Sequence, residues 1–275
     1  MKNIDNKVVN DFGEEWSTYR QSDIEIKDLE SAWAQYFSIF PFDELPDNSV
    51  GFDMGCGSGR WAMFTSPKVG HLHCIDASEK ALSVAKENLS EVNEITFHHG
   101  SVSDDILDEN SQDFGYCLGV LHHIPDTLDG LRSCSKILKK GAPFLLYLYY
   151  NFENRSYLFK TIWKLSNILR WLISKLPSPL KKIITFLIAI IIYLPLARIS
   201  LLIEKAGINP HFVPLSDYRN KKFTFMATDS LDRFGTRLEK RFSKSEILNM
   251  LEESGFKNVK FSNSQPYWVC ISYKS

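Results

Sequence analysis

Paired cysteines are missing from this chain. Its five cysteines, Cys56, Cys74, Cys117, Cys134 and Cys270, are scattered through 275 residues with no C-x-x-C spacing and no Cys/His cluster. An odd, dispersed set excludes a disulfide framework and offers no ligand spacing for zinc, so a reducing compartment and no metal site are expected. An excess of either charge is missing too, with 32 Lys and Arg against 33 Asp and Glu. A neutral chain lacks the basic footprint of a general nucleic-acid binder, so no nucleic-acid partner is expected. Internal repeats and low-complexity tracts are absent, and a hydrophobic content of 44% excludes wholesale disorder. The start, "MKNIDNKVVNDFGEEW", has no apolar core of export-signal length, which predicts a cytoplasmic protein. A long uncharged apolar run is also wanting: "IITFLIAIIIYLPLA" covers residues 183–197 and contains Pro195. A spanning helix needs about 20 such residues, so this run is expected not to span.

What is present is an alternation. From about residue 48 to 150, the strand-like runs "SVGFDMG", "HLHCIDA", "EITFHHG", "DFGYCLGV" and "APFLLYLYY" are separated by stretches of helical period. That order calls for βαβ units and a parallel sheet with helices on both faces. In "SEKALSVAKENLS", Ser78 is placed to cap a helix whose Ala81, Ala85 and Leu89 share a face. In "DTLDGLRSCSKILKKG", Leu128, Leu131 and Leu138 line one side and Gly141 is the expected stop. Residues 152 to about 205 break the alternation with helical segments only. The tail resumes with an amphipathic helix ending at Gly255 and two strand candidates.

The turn after the first strand reads "GFDMGCGSGRW", residues 51–61. Alternate glycines between a strand and a helix let a ligand touch bare backbone near a helix N-terminus. A dinucleotide loop wants G-x-G-x-x-G, but the third glycine here is Gly59 and the next position is Arg60. Asp53, two residues before Gly55, would repel a pyrophosphate and suits a cationic ammonium. S-adenosylmethionine brings such an ammonium. Asp76, in "CIDAS" at the end of strand two, is placed to accept from ribose hydroxyls, and Ala77 leaves room for an adenine face.

Together these stretches resemble the class I S-adenosylmethionine-dependent methyltransferases, in particular the small-molecule branch with the ubiquinone/menaquinone-type domain. The resemblance runs from about residue 48 to 150 and rests on "DMGCGSGRW", "CIDAS", "FHHGSV", "CLGVLHHIPD" and "ILKKGAPFLLYLYY" in order. It implies a doubly wound Rossmann-like α/β sheet with an antiparallel last strand, into which the helical break after residue 151 reads as an insertion between strands five and six. It implies that Asp53, Gly55, Cys56 and Gly57 surround the methionine part of the cofactor, and Asp76 and Ala77 the ribose and adenine. Ser101 and Val102 would meet the adenine edge, and Leu118 and the Gly119 backbone would approach from strand four. Ser101 departs from the family, which often has an acid there; a hydroxyl can also accept a hydrogen bond.

Methyl transfer is an in-line displacement that depends chiefly on alignment. His122 and His123 follow strand four, at the carboxyl edge where open α/β folds place ligands, and either could act as general base. Strand alternation predicts that at most one turns toward the pocket, with His123 favoured. Tyr150, Asn151 and Arg155 follow strand five as acceptor-pocket candidates. Tyr218 and Arg219, with Arg233, Arg237 and Arg241, would suit an anionic acceptor. Trp16 and Tyr19 in "FGEEWSTYR" would belong to a cover over the cofactor.

The expected organisation is an N-terminal helical cover (1–47), a cofactor-binding core (48–151), a hydrophobic basic helical insertion or lid (152–235), and a last helix with two core strands (236–275). Phe152 to Lys205 holds nine Lys and Arg against Glu153 and Glu204. Three roles stay open for it: a lid, a homodimer contact, or a peripheral membrane contact through residues 180–205 on the inner face of a membrane. A lid with an apolar lining would favour an apolar acceptor. The expected function is methyl transfer from S-adenosylmethionine, leaving S-adenosylhomocysteine, to an oxygen or nitrogen of a small molecule: a metabolite, a sugar or a lipid-linked acceptor. The competing reading is a cofactor-binding partner or regulatory subunit without turnover. Arg60 and Asp53 disfavour a nicotinamide oxidoreductase.

Overall fold

The structure is a computed structural model that describes residues 3–18 and 25–275. The chain forms two compact units, one of residues 1–153 with 238–275 and the other of residues 154–237. By compactness the N-terminal segment, the core and the C-terminal segment fall into one unit, and the helical insertion runs from Asn154 to Arg237.

The first unit is built on seven strands: β1 (Val50–Met54), β2 (His71–Asp76), β3 (Ile95–His99), β4 (Phe114–Leu118), β5 (Pro143–Tyr147), β6 (Phe256–Phe261) and β7 (Cys270–Lys274). Their order is β3-β2-β1-β4-β5-β7-β6. β1 to β5 pair in parallel, whereas β7 runs antiparallel to both β5 and β6. This is a doubly wound α/β sheet with an antiparallel last strand, and the central strands are apolar along their length because both faces are covered. One face packs Phe52, Ile75, Cys117, Phe144 and Phe256. The other packs Leu72, Phe114, Tyr116 and Leu145 with Phe37 and Trp61.

Helices α1 (Asn6–Thr18), α2 (Ile26–Phe37), α3 (Ala62–Thr65), α4 (Glu79–Asn88) and α5 (Thr127–Ile137) belong to this unit. Ser78 caps α4 by accepting from the Ala81 amide, and Ala81, Ala85 and Leu89 are buried. Asp126 caps α5 through the Asp129 amide. α5 ends at Ile137, earlier than its leucine period predicts. Leu138 is already extended and buried, and Gly141, at φ +82°, turns the chain into β5 instead of stopping the helix.

One crossover departs from the expected pattern, since residues 100–113 between β3 and β4 hold turns and no helix. Their Ser, Asp and Asn side chains favour local backbone hydrogen bonds over helix, as where Asp104 accepts from the Ser101 amide at 2.8 Å. Partly exposed histidines follow on that part of the sheet: His98 Nε2 lies 3.1 Å from His73 Nδ1, and His71 is edge-on to His73.

The second unit contains α6 (Tyr157–Ile173), α7 (Ser178–Ile188), α8 (Leu194–Lys205) and α9 (Phe223–Gly235). Its core gathers Ile173, Ile188, Tyr193, Ala197, Met226 and Phe234. Ser230 Oγ donates to the Thr185 carbonyl at 2.8 Å, tying α9 to α7. A π-helical turn, Ala189–Tyr193, joins α7 to α8, so Ser178–Lys205 is one helix of 28 residues, long and apolar enough to cross a membrane by length and composition. The helix extends beyond the apolar run at both ends, while its uncharged stretch remains residues 183–197. Pro195 has no N–H for the Ile191 carbonyl, which accounts for the local π geometry before it. After the insertion, α10 (Lys244–Glu253) opens with a Ser243/Glu246 capping box, and Gly255, at φ +82°, closes it.

Candidate active site

The glycine turn is held to the sheet by its own backbone. The amides of Gly55 and Cys56 both donate to the Ile75 carbonyl, at 2.8 and 3.0 Å. Gly55 and Gly57 have φ of +80° and +55°, a region that favours glycine. Space reinforces the requirement at Gly55, where a Cβ would lie 2.4 Å from Val120. The Gly57 amide donates to Asp76 Oδ2 at 2.9 Å, and the Ser78 amide donates to Asp76 Oδ1 at 2.8 Å. Asp76 thereby ties the glycine turn to the start of α4, and each oxygen keeps a second lone pair for a ligand. Burial raises its pKa, and the two amides work against that rise.

Asp53 is 1% exposed, and neither carboxylate oxygen has a hydrogen-bond partner among the described residues. Burial pushes its pKa up to about 8; the Tyr116 hydroxyl works against the rise, the nearby Asp76 charge adds to it, and Arg60 offsets part. Tyr116 sits close enough to act on this carboxylate, yet its hydroxyl makes no well-formed hydrogen bond among the described residues. A buried carboxylate without a partner is costly unless a cation or donor completes it. The residue therefore fits a ligand ammonium.

At the other end of the edge lie Ser101, Val102, Ala77 and the end of β4. Ser101 Oγ donates to Asp104 Oδ2 at 3.0 Å, so an acid lies three residues beyond the position where the family often has one. Val102 and Leu118 are buried. The Ala77 carbonyl is 3.1 Å from His99 Nε2. At Gly119, φ is +82° and a Cβ would meet no protein atom within 4 Å, so the carboxyl end of β4 opens onto free space.

A family model described as a methyltransferase domain matches residues 52–146, the span that carries all of these groups. Residues 52–146 are a methyltransferase domain. The chain is 30% identical over 112 residues to a ubiquinone biosynthesis O-methyltransferase of Aromatoleum aromaticum, a match covering 40% of this chain and 47% of that protein. It is 32% identical over 93 residues to a demethylmenaquinone methyltransferase of Staphylococcus aureus, covering 33% of this chain and 39% of the relative. The chain thus spans less than half the length of the curated relatives it matches. Among solved structures, a SAM-dependent methyltransferase of Thermotoga maritima shares the fold at 13% identity, with a TM-score of 0.51 over 96% of this chain and 99% of that one.

α1 packs beside the methyltransferase domain's glycine turn. A Cβ at Gly57 would lie 3.0 Å from Trp16 Nε1, and the Arg60 guanidinium stacks over Trp61 and Trp16, at 4.4 and 5.1 Å. Phe12 meets His123 edge-on at 4.8 Å, and the Asn3 side chain brackets Asp126 with two hydrogen bonds. Tyr19 lies outside the described residues.

The two histidines do not alternate as a strand would, because β4 ends at Leu118 and they sit on a 3-10 turn, Leu121–His123. Both rings are buried side by side, with centroids 4.1 Å apart. His122 stacks on Tyr149 at 3.8 Å, its ring nitrogens have no partner among the described residues, and burial holds its pKa well below the usual value. His123 Nδ1 is 2.7 Å from the Leu238 carbonyl. A carbonyl can only accept, so Nδ1 carries the proton and Nε2 keeps the basic lone pair.

Sequence reasoning gave little weight to residues 238–242, which complete this edge. The Lys240 amide donates to the His122 carbonyl, and Phe242 pairs with Tyr149 and Asn151 through backbone hydrogen bonds. Arg241 stacks over Tyr149 and Phe152 and pairs with Glu239 at 2.7 Å. Strand-like register with β5's continuation is the only signal for this, and it is tertiary. Tyr150 and Asn151 belong to this edge, and the Asn151 side chain accepts from the Glu153 amide. Arg155, Tyr218 and Arg219 lie in the second unit, engaged there with the His211 carbonyl, Asp229 and Glu204.

Proposed function

We propose that this chain transfers a methyl group from S-adenosylmethionine to an oxygen or nitrogen of a small molecule. The observation that carries the reading is Asp53, a buried carboxylate without a hydrogen-bond partner among the described residues, beside a bare-backbone turn. Asp53 and the amides of the glycine turn would hold the amino-acid end, Asp76 the ribose, and Ser101 and Val102 the adenine edge. The cofactor, when bound, supplies an electrophilic methyl group on a sulfonium.

The chain's own part is then to orient the acceptor, exclude water and take a proton where one must leave. His123 is the candidate base, since the Leu238 carbonyl directs its proton to Nδ1. His122, held neutral by burial, packs the wall instead. The neighbouring Tyr36, Tyr147 and Tyr149 form an aromatic wall that supports a flat, apolar acceptor, consistent with the quinone-related names of the two relatives. A cytoplasmic site of action fits the five free, buried cysteines.

Calorimetry with S-adenosylhomocysteine, followed by incubation with S-adenosylmethionine and a panel of phenols, sugars and amines, tests the reading. Binding and release of S-adenosylhomocysteine with one acceptor class are expected. Failure to bind S-adenosylhomocysteine would overturn it, and binding without turnover across a broad panel would favour a cofactor-binding partner protein.

A further inference from the structure

The second unit has a surface unlike that of the first. Of the twenty large apolar side chains that stand exposed among the described residues, nineteen lie in residues 154–237, and the exception is Ile26. Leu158, Leu165 and Leu172 recur at seven-residue spacing along α6, while Ile183, Leu187 and Ile191 follow one side of the long helix. The opposite side of that helix is already buried in the unit's own core, through Thr185, Ile188 and Ala197. An apolar face of this extent, left over after the core is built, marks an interaction surface.

Charge selects the partner. Residues 154–237 carry 14 Lys and Arg against 4 Asp and Glu, a net +10, while the rest of the chain carries 18 against 29, a net −11. We propose that this unit binds the surface of an anionic lipid bilayer, laying the exposed sides of α6 and the long helix into one leaflet while its cations meet the headgroups. A second copy is a poor partner. Two +10 surfaces repel, and the acidic unit exposes a single large apolar side chain among its described residues, so it offers no apolar counterpart. Spanning also fits less well, because the uncharged stretch 183–197 is only about 22 Å long as a helix, against about 30 Å of hydrocarbon. Moreover α6 carries Lys160, Lys164 and Arg170 along its length. Trp171, exposed with Lys175 3.2 Å from its ring, has the amphipathic character of an interfacial anchor.

Flotation of the full chain with phosphatidylcholine vesicles, with and without phosphatidylglycerol, tests this. The protein should float with the anionic vesicles, far less with the neutral ones, and detach as salt rises. Two exposed-site variants separate the contributions: Leu165→Asp with Ile191→Asp, and Lys164→Glu with Lys205→Glu. Each pair should cut the bound fraction ~10-fold or more while leaving S-adenosylhomocysteine binding and melting temperature unchanged. The proposal is overturned if the protein stays at the bottom of both gradients, or if both variants float like the parent. Light scattering that finds a dimer broken by the Asp pair, without vesicle binding, would put a second copy on this face. Retention through both high salt and alkaline carbonate would replace the interfacial arrangement with a spanning one.

Discussion

The Gly57 amide and Asp76 Oδ2 are joined by a 2.9 Å hydrogen bond, so the glycine turn after β1 and the acid that ends β2 are parts of one assembly. Shape at the turn and charge at the ribose end therefore depend on the same side chain. Asp76→Ala should cost both, weakening S-adenosylhomocysteine binding by ~10- to 100-fold and lowering folding stability by about 1–3 kcal/mol, since it leaves the Gly57 and Ser78 amides without their acceptor. Asp76→Asn, which retains one oxygen, should fall between. Calorimetry and urea unfolding would check this; unchanged affinity in Asp76→Ala would remove it from the cofactor site.

Asp53 should report cofactor binding as a proton. With its pKa raised to about 8, the free protein holds Asp53 mostly protonated at pH 7, and an incoming ammonium favours the ionised form. Binding of S-adenosylhomocysteine at pH 7 should thus release up to one proton, less above pH 8. Calorimetry in two buffers of different ionisation enthalpy measures it. The linkage also sets a stability trend. A carboxyl whose folded pKa is raised stabilises most below about pH 4, its unfolded value, and that contribution is lost as pH rises toward 8. Asp53→Asn should therefore raise the melting temperature of the free protein, by more at pH 8 than at pH 5, while weakening the ligand.

Two glycines with the same backbone should respond differently to alanine. Gly55 and Gly119 have φ of +80° and +82°, but a Cβ would strike Val120 at 2.4 Å in one case and meet nothing within 4 Å in the other. Gly119→Ala should fold with a loss of about 1–2 kcal/mol from the backbone alone. It should nonetheless bind S-adenosylhomocysteine poorly, because the methyl occupies space a ligand would use. Gly55→Ala should lose more stability in thermal melts. Normal affinity in Gly119→Ala would mean that the open space at β4 is not the cofactor's.

The histidine pair should separate by substitution. His123→Asn should lower kcat by ~10²–10⁴-fold if the acceptor loses a proton in the transition state, with S-adenosylhomocysteine affinity retained. His122→Phe keeps the stack on Tyr149 and removes two buried nitrogens that have no partner among the described residues, so stability should hold or rise and kcat change little. The reverse pattern in steady-state kinetics would transfer the base role to His122.

Acid should weaken the β2–β3 edge. His73 is held at a pKa of about 4, first by burial and then by His71 and His98, and the His98 pKa is lowered too. Their unfolded values are near 6.5, so the unfolded chain binds more protons between about pH 6.5 and 4, and stability should fall as pH drops through that window. Thr96 and Glu94 also face this group, both through His71. His73→Asn with His98→Asn should flatten that part of the melting-temperature profile; an unchanged slope would place the acid sensitivity elsewhere.

The parallel core was legible because its signals are local. Strand-length apolar runs, Ser78 at a cap and glycines before a helix each act within a few residues, and they located β1 to β5 and α4 closely. The helix expected between β3 and β4 failed for the same reason, since Asp104 satisfied the chain locally in another way. Leu138 misled the reading of α5 because a buried leucine looks alike on a helix and at the start of an extended segment. The role of residues 238–242 was out of reach, as their partners are more than 80 positions away in the chain.

By itself the sequence determined the order of the strands and of all helices but the one expected between β3 and β4, the bare glycine turn, the choice of Asp53 over a phosphate-binding pattern, and the opposed charges of the insertion and the rest. Those follow from residue type, spacing and counting. Only the tertiary structure decided that Asp53 has no hydrogen-bond partner among the described residues, that Asp76 clamps Gly57, that His123 is oriented by a carbonyl from Leu238, and that the insertion's apolar run belongs to a helix with one side left outward. Burial and hydrogen-bond pairing are properties of what surrounds a residue, and those surroundings are assembled from distant parts of the chain.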